Sequence, residues 1–548
     1  MRRHRETWQP LKIALADLDQ TSLSSDLPTA FNVRLSSGGP AGEEVRGALA
    51  GEFGVREAGT AAGMLVFLDT FEWSLWFAGL VLWEQDGHLR LAARENDWIG
   101  AELAALPLEG GTPRFARDFP DSPLGDAVRP LIGLRALLPV ARIEVRHALI
   151  ELLDANRKTV LRLDLQEVGD HSGRVIVAHA RLLRGYEPEA ARAAAVLARF
   201  AEEESVEGPL IRAFRRLGKE PRVYTLRPGF ELAADLPARE AVRHIVSRVL
   251  AIARENERGI IEDVDTEFLH DARICIRKIR AVLSLLKGVY PLEETQRLKD
   301  AFSRLGRETN RLRDLDVELL ARPDLAARLP GHLRAGLDEM FADFAAERTE
   351  QQQRVAARLG SDGHRREMEA LARFFGETDG LAPSAASAAP VGPLAAAQIC
   401  RRYRKIRKLA RRLRPETPDH EIHALRVQAK KLRYLLEFFS ELFDAEKIQP
   451  LEKHLRRLQN RLGCFNDLAV QQRSLLAYWA ARRETMVAPV ETAMSLGGLI
   501  ALLHRDQEEE RKEVHAALEE FASGSVAARF AEIFRRPENV ESTGEVVP

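Results

Sequence analysis

A basic pattern that is written twice constrains this chain most. His270-Asp-Ala-Arg273-Ile-Cys-Ile-Arg277-Lys278-Ile-Arg280 recurs 153 residues later as His423-Ala-Leu-Arg426-Val-Gln-Ala-Lys430-Lys431-Leu-Arg433. The register continues beyond the pattern, because Leu298, Arg304, Leu305 and Asp314-Leu315 fall on Leu451, Arg457, Leu458 and Asp467-Leu468. A shared register of this extent implies two copies of one structural unit.

On a helix, positions i, i+3, i+7 and i+10 fall within about 80° of arc. His270, Arg273, Arg277 and Arg280 therefore form one stripe, as do His423, Arg426, Lys430 and Arg433. Ile276, Ile279, Val282, Leu283 and Leu286 gather on the other side, and Leu425, Leu432, Leu435, Leu436 and Phe439 repeat that choice. Each copy is an amphipathic helix with a cationic polar face.

A merely solvated basic face has no need of a repeated residue order, so the duplication, histidines included, points to a bound polyanion. Arginine's planar fork suits bidentate phosphate contact, and lysine adds a mobile point charge. Two such stripes repel each other unless an anion lies between them. The primary candidates are thus His270, Arg273, Arg277, Lys278, Arg280, His423, Arg426, Lys430, Lys431 and Arg433. Secondary candidates flank them: Arg248 and Arg254 match Arg401 and Arg407 before the motif, while Arg304, Arg307, His454 and Arg457 follow it. Asp314 and Asp467 are expected to pair with neighbouring arginines rather than to bind metal.

The net charge of −1 conceals how unevenly the charges lie: residues 401–433 hold thirteen Lys or Arg against Glu416, Asp419 and Glu421. A local excess of this kind fits a polyanionic partner, with nucleic acid among the options. The motif helices, however, lack interleaved aromatics for base stacking, Tyr434 excepted. Three scattered cysteines make neither a disulfide framework nor a zinc pattern, which suits a reducing compartment. The basic start is followed by Glu6 rather than an apolar segment, and the apolar run Trp73 to Trp83 is about half a bilayer span. The expectation is a soluble cytoplasmic protein with no membrane partner.

At 548 residues the chain exceeds one ordinary core. Residues 1–183 read as β-rich, with apolar runs at Leu11–Leu18, Met64–Leu68, Leu75–Trp83 and Leu89–Ala93, and Gly-rich breaks including 38–63. Long antiparallel strands are expected at Ala141–Leu153, Thr159–Val168 and Arg174–Leu183, with a turn at Gly169–Gly173, as in a meander or barrel. Residues 184–236 read as a helical linker. Helical spacing dominates 237–535, with repeat one at 237–375, a Gly/Ala/Ser/Pro connector at 376–393 and repeat two at 394–535. The tail 536–548 reads as disordered. The fold class is α+β in two domains.

Two resemblances sharpen this reading. Leu68-Asp69-Thr70, then Ala78-Gly79-Leu80-Val81-Leu82 and Gly87-His-Leu-Arg-Leu91, resemble the CYTH or triphosphate tunnel family. That resemblance implies a barrel-like tunnel in which carboxylates hold divalent metal against a triphosphate. Here Trp8 and Pro10 stand where two glutamates should precede Lys12, Val177-Ala-His179-Ala lacks carboxylates, and Trp83-Glu-Gln85 replaces an Arg-rich strand end. The expectation is a catalytically dead relative with no metal and no cofactor, because metal-assisted hydrolysis needs several hard oxygen ligands. A metal-dependent triphosphatase that uses Glu144, Glu151 or Asp164 instead is the enzymatic alternative.

The doubled motif, with Leu312-Arg-Asp314-Leu-Asp316-Val and Leu462-Gly-Cys-Phe-Asn466-Asp467-Leu after it, resembles the CHAD family. That resemblance implies two pseudo-symmetric four-helix bundles whose basic helices face one another across a channel or cavity. It also implies binding of inorganic polyphosphate and, through it, association with polyphosphate granules.

Overall fold

A computed structural model describes residues 30–35, 41–95, 97–168, 175–201, 208–376, 384–414 and 416–534. The expected strand at Leu11–Leu18, the positions of Trp8, Pro10 and Lys12, the turn at Gly169–Gly173 and the tail 536–548 lie outside the described residues. The chain divides into two compact units, Met1–Tyr224 and Thr225–Pro548.

The first unit is built on one antiparallel sheet: β1 (Ala30–Leu35), β2 (Gly54–Asp69), β3 (Leu80–Gln85), β4 (His88–Glu95), β5 (Trp98–Pro107), β6 (Leu138–Leu153), β7 (Thr159–Val168) and β8 (Val175–Leu182). The strand order is β1-β8-β7-β6-β2-β3-β4-β5. The sheet curls into a half-barrel. Trp98 at one edge donates its Nε1 hydrogen to Gln166 Oε1 on β7 at 2.7 Å, five strands away, which a flat sheet could not allow. The long strands β6 and β7 follow the expected alternation closely.

Among the described residues five α-helices accompany the sheet: α1 (Ala41–Ala50), α2 (Ser74–Phe77), α3 (Pro123–Ile132), α4 (Glu187–Ala198) and α5 (Pro209–Arg216). Three expectations are corrected here. The Gly-rich stretch 38–63 is not a break, since α1 and most of β2 occupy its described part; Gly59 takes a φ of 153° at a register shift that lets the strand continue. Leu75–Trp83 is not one strand, because Asp69 accepts backbone N–H bonds from Thr70, Leu75 and Trp76 at 2.7–3.0 Å and turns the chain into α2. The helices within 184–236 do not merely link. Ala193, Val196 and Leu197 of α4 pack on one sheet face, and Leu210 and Phe214 of α5 pack among Trp73, Trp76, Trp98 and Val177. Each large apolar side chain buried this way contributes roughly 2 kcal/mol.

The second unit is helical: α6 (Ala238–Glu255), α7 (Thr266–Leu285), α8 (Leu292–Glu308), α9 (Asn310–Leu320), α10 (Asp338–Leu359), α11 (Asp362–Gly376), α12 (Val391–Ala410), α13 (Asp419–Phe439), α14 (Ala445–Arg482), α15 (Pro489–Ala522) and α16 (Gly524–Phe534), with short turns between them. Helices α12, α13 and α14 each begin 153 residues after α6, α7 and α8. The sequence register is therefore also a register of helix starts.

The copies differ where copy one is broken. Thr309 ends α8, its hydroxyl bonding back to Leu305 O at 3.2 Å, and Gly360-Ser361 separates α10 from α11. At the paired positions Leu462 and Glu513-Val514 stand inside the uninterrupted α14 and α15. One core runs through both copies, bringing Ile279, Val282 and Leu283 of α7 together with Leu432, Leu435 and Leu436 of α13. A second, smaller core joins α9 and α10 to the far halves of α14 and α15 through Leu315, Met340, Phe341, Leu475 and Leu499.

Candidate anion-binding site

The apolar faces of α7 and α13 are buried in the shared core, and the two helices pack against each other. This pairing brings the two basic stripes together. Burial lowers the pKa values of Arg426 and Lys430 of copy two, and the charge of Arg277 of copy one adds to the fall in both. Burial is the larger cause for Lys430, which is pushed down to about 8, with Arg426, Arg277 and Arg433 adding to it. Arg277 and Arg280 are exposed and form no ion pair among the described residues.

Arg273 and Arg426, at the same register position, are both half-buried. Burial, then Arg277, lowers Arg273 to about 10, so it remains charged at neutral pH. Its guanidinium donates to Gly306 O and Thr309 Oγ1 at 2.8 Å and to Asn310 Oδ1 at 2.7 Å, so the break after α8 holds it in place. Arg426 lies 3.8 Å from Asp467, and its Nε is buried without a partner. Arg433 lies 3.3 Å from Glu437 and over the Tyr434 ring. Ser284 takes the place of Glu437 in copy one, which leaves Arg280 unpaired.

The histidines take part in different ways. His423 bonds through Nδ1 to Asn466 Oδ1 at 2.9 Å, which directs Nε2 elsewhere. His270 lines a cleft of roughly 720 Å³ with Arg273, Arg277, Asp314 and residues of α14 including Asp467 and Arg473. Smaller clefts place Arg280 and Arg307 beside Arg277, and Arg426, Lys430 and Arg433 beside Arg456. Asp467 pairs with Arg426 as expected. Asp314 makes no ion pair among the described residues, although Arg273, Arg311 and Arg313 offset the rise that burial causes in its pKa.

Several candidates are placed elsewhere. Lys278 is buried, lies 3.2 Å from Glu437 and donates to Leu226 O, so its charge is neutralised inside the protein. Arg304 is held by Glu367, and Arg457 and His454 by Glu520, which makes these three struts between helices rather than open donors. Lys431 follows Lys430 at about 100° around the helix, and burial, then Arg402, Lys405, Lys287 and Lys299, lower its pKa. Arg248, Arg254 and Arg401 are exposed without ion pairs among the described residues, and Arg407 lies over the Tyr403 ring. Register reasoning missed Arg473 and Arg456, because Leu320 and Ser303 occupy their paired positions.

Among the described residues one group could hold a metal: Glu267, His270 and Asp271 have ligand atoms within 4.8 Å of one another, and Arg313 lies 3.6 Å from Glu267. In the first unit the three carboxylates weighed for catalysis do not converge. Glu144 and Glu151 are seven residues apart on β6 and face opposite sides of the sheet. Glu151 is paired to Arg56 and Arg162, and Asp164 bonds His147 and Gln166. Among the described residues no helix is long and apolar enough to cross a membrane.

Residues 244–476 match the model of the CHAD domain. No curated protein matches the chain. Among solved structures, the CHAD domain from the plant Ricinus communis is 27% identical with a TM-score of 0.45, covering 54% of this chain and 95% of that one. PptA from Streptomyces chartreusis is 19% identical with a TM-score of 0.38, covering 52% of this chain and 99% of that one.

Proposed function

Taking residues 244–476 as a CHAD domain, we propose that the second unit binds inorganic polyphosphate in the cationic groove that α7 and α13 form together. The observation that carries this reading is the packing of α7 against α13, which sets the basic stripes of the two copies side by side. Like charges held this near one another in a partly buried setting destabilise the empty protein, and a linear polyanion relieves that repulsion. Arg277 and Arg280 supply open forks, Arg273 and Arg426 form a held floor, and Lys430 adds a compact charge. No bond is made or broken, and capture is electrostatic.

Nucleic acid is the weaker fit. Tyr434, the aromatic next to the motif, is buried and stacked on Phe438, so it offers no platform to a base. The first unit is proposed to hydrolyse no triphosphate, since α5 packs against the Trp-rich sheet face and the candidate carboxylates are dispersed or paired. Association with polyphosphate granules in a cytoplasmic setting follows as part of the same proposal.

The test is a competition titration of the full chain with long-chain polyphosphate against single-stranded RNA and DNA. It compares wild type with the Arg277→Ala/Lys430→Ala/Arg433→Ala variant. Polyphosphate should win by a wide margin and lose its advantage in the variant; equal binding of all three polymers, unaffected by the variant, contradicts the proposal. Phosphate release from tripolyphosphate with magnesium or manganese would restore the enzymatic alternative.

A further inference from the structure

Copy one contains a cavity of roughly 280 Å³ between α6, α7, α8, α10 and α11. Its walls are mostly apolar, with Leu250, Ala253, Ala272, Phe302, Val355 and Met368 among them. Exposed Glu308 and Arg354 also line it, so it opens to solvent. Two polar residues interrupt the apolar wall, Glu257 just after α6 and His364 of α11. His364 is only 2% exposed. Its Nε2 lies 3.0 Å from Glu257 Oε1, and its Nδ1 is buried with no hydrogen-bond partner among the described residues. A carboxylate accepts only, so Nε2 carries the hydrogen in this pair and Nδ1 is the nitrogen left over. A buried polar atom without a partner costs free energy, and folded proteins keep few of them.

The fold does not require this cavity, because copy two fills the paired space. Tyr403, Ile406, Leu425 and Phe521 stand where copy one has Leu250, Ala253, Ala272 and Met368. All four are buried. The Tyr403 and Phe521 rings lie 5.5 Å apart, and the Tyr403 hydroxyl donates to Phe521 O at 3.1 Å. Ile276 and Phe302 are larger than their mates Ala429 and Leu455, but they return only part of the lost volume. The polar pair is confined to copy one as well, since Ala410 and Ala517 occupy the positions of Glu257 and His364. Room and imidazole therefore occur together. Protein interiors pack densely and cavities lower stability, so an occupant accounts for both features at once.

We infer that this cavity binds a small, largely apolar molecule carrying one hydroxyl, with its body among the apolar walls and its hydroxyl on His364 Nδ1. A hydroxyl both donates and accepts, so it satisfies that nitrogen whether the ring is neutral or protonated. The body has the size of about two fused rings, since an apolar cavity of roughly 150 Å³ takes benzene. Helical bundles place ligand sites of this kind between their helices. The site does not depend on polyphosphate capture.

Equilibrium dialysis of the full chain against 2-naphthol and against naphthalene tests the site. Wild type is compared with Ala253→Ile/Ala272→Leu, which writes the copy-two residues into copy one, and with His364→Leu. Circular dichroism checks each variant for wild-type helicity. Wild type should take up one equivalent of 2-naphthol and bind it about fivefold or more tighter than naphthalene. The filled variant should lose about tenfold or more in affinity for both probes. His364→Leu should bring 2-naphthol down to the affinity of naphthalene and leave naphthalene itself unchanged. No uptake of 2-naphthol by wild type means a cavity that holds water only, and equal uptake by the filled variant places the probe elsewhere; either result overturns the proposal. If the filled variant does not fold, His364→Leu decides, because a preference for 2-naphthol that survives this substitution removes the imidazole from the site and overturns the proposal equally.

Discussion

Arg304 and Glu367 form an ion pair at 2.6 Å, and 153 residues later Arg457 and Glu520 form the same pair at 2.6 Å. The repeated register therefore encodes packing as well as the basic stripes. These pairs join α8 to α11 and α14 to α15, and their half-exposed arginines stabilise the fold by under about 1 kcal/mol each. Arg304→Ala and Arg457→Ala should lower the melting temperature by a few degrees at most and leave polyphosphate affinity within about twofold. A large loss of affinity in titration would return both residues to the site.

Lys430 gives the binding a pH dependence. Its pKa is held down at about 8 by burial and three arginines, and a bound polyanion favours the protonated form. Affinity should be level below pH 8 and fall as pH rises through 8 to 9.5, by up to about tenfold per unit while only the bound state holds the proton. Lys430→Arg should flatten that profile in the same titration, since arginine keeps its charge throughout.

The same depressed pKa makes a stability prediction. The unfolded lysine titrates near 10.5 and the folded one near 8, so between these values unfolding takes up a proton and stability rises with pH. At neutral pH the buried charge costs the empty fold. Lys430→Met should raise the melting temperature of the ligand-free protein while weakening binding. A melt that moves downward would contradict the groove as a site of stored repulsion.

Lys278 should behave in the opposite way. Its ammonium is enclosed beside Glu437, which Arg433 and Arg227 also approach at 3.3 and 3.6 Å. Lys278→Ala should destabilise the protein by roughly 3 kcal/mol in urea unfolding, with tripolyphosphate affinity nearly intact in the surviving fold.

In the first unit, Asp69 holds the entry to α2 with three backbone N–H bonds. Asp69→Ala should cost about 1–2 kcal/mol of that unit's stability. Polyphosphate titration of this variant should match wild type.

The helical half was legible because its signal is duplicated: one 153-residue offset marks the motif stripes, the helix starts and the Arg304 and Arg457 struts alike. What the stripe could not reveal was pairing. Lys278 and Lys431 look alike in sequence, and only Glu437 against Ser284, contributed from the other copy's helix, separates them. Arg456 and Arg473 were invisible for the converse reason, since they have no mate in the register. In the sheet half, period-two alternation located β6 and β7, whereas α1, α2 and β5 escaped: glycines disguised the first region, and α2 is a single turn held by one buried carboxylate. The packing of Leu210 and Phe214 of α5 on the Trp-rich sheet face is a tertiary event with no local signal.

The central claim is that the two stripes make one site. Titration calorimetry of tripolyphosphate into the full chain tests it most directly, with wild type, Arg277→Ala and Lys430→Ala side by side. The account predicts one equivalent bound per chain, and both substitutions, one in each copy, should weaken that same event. Two equivalents, with Arg277→Ala removing one and Lys430→Ala the other, would contradict it.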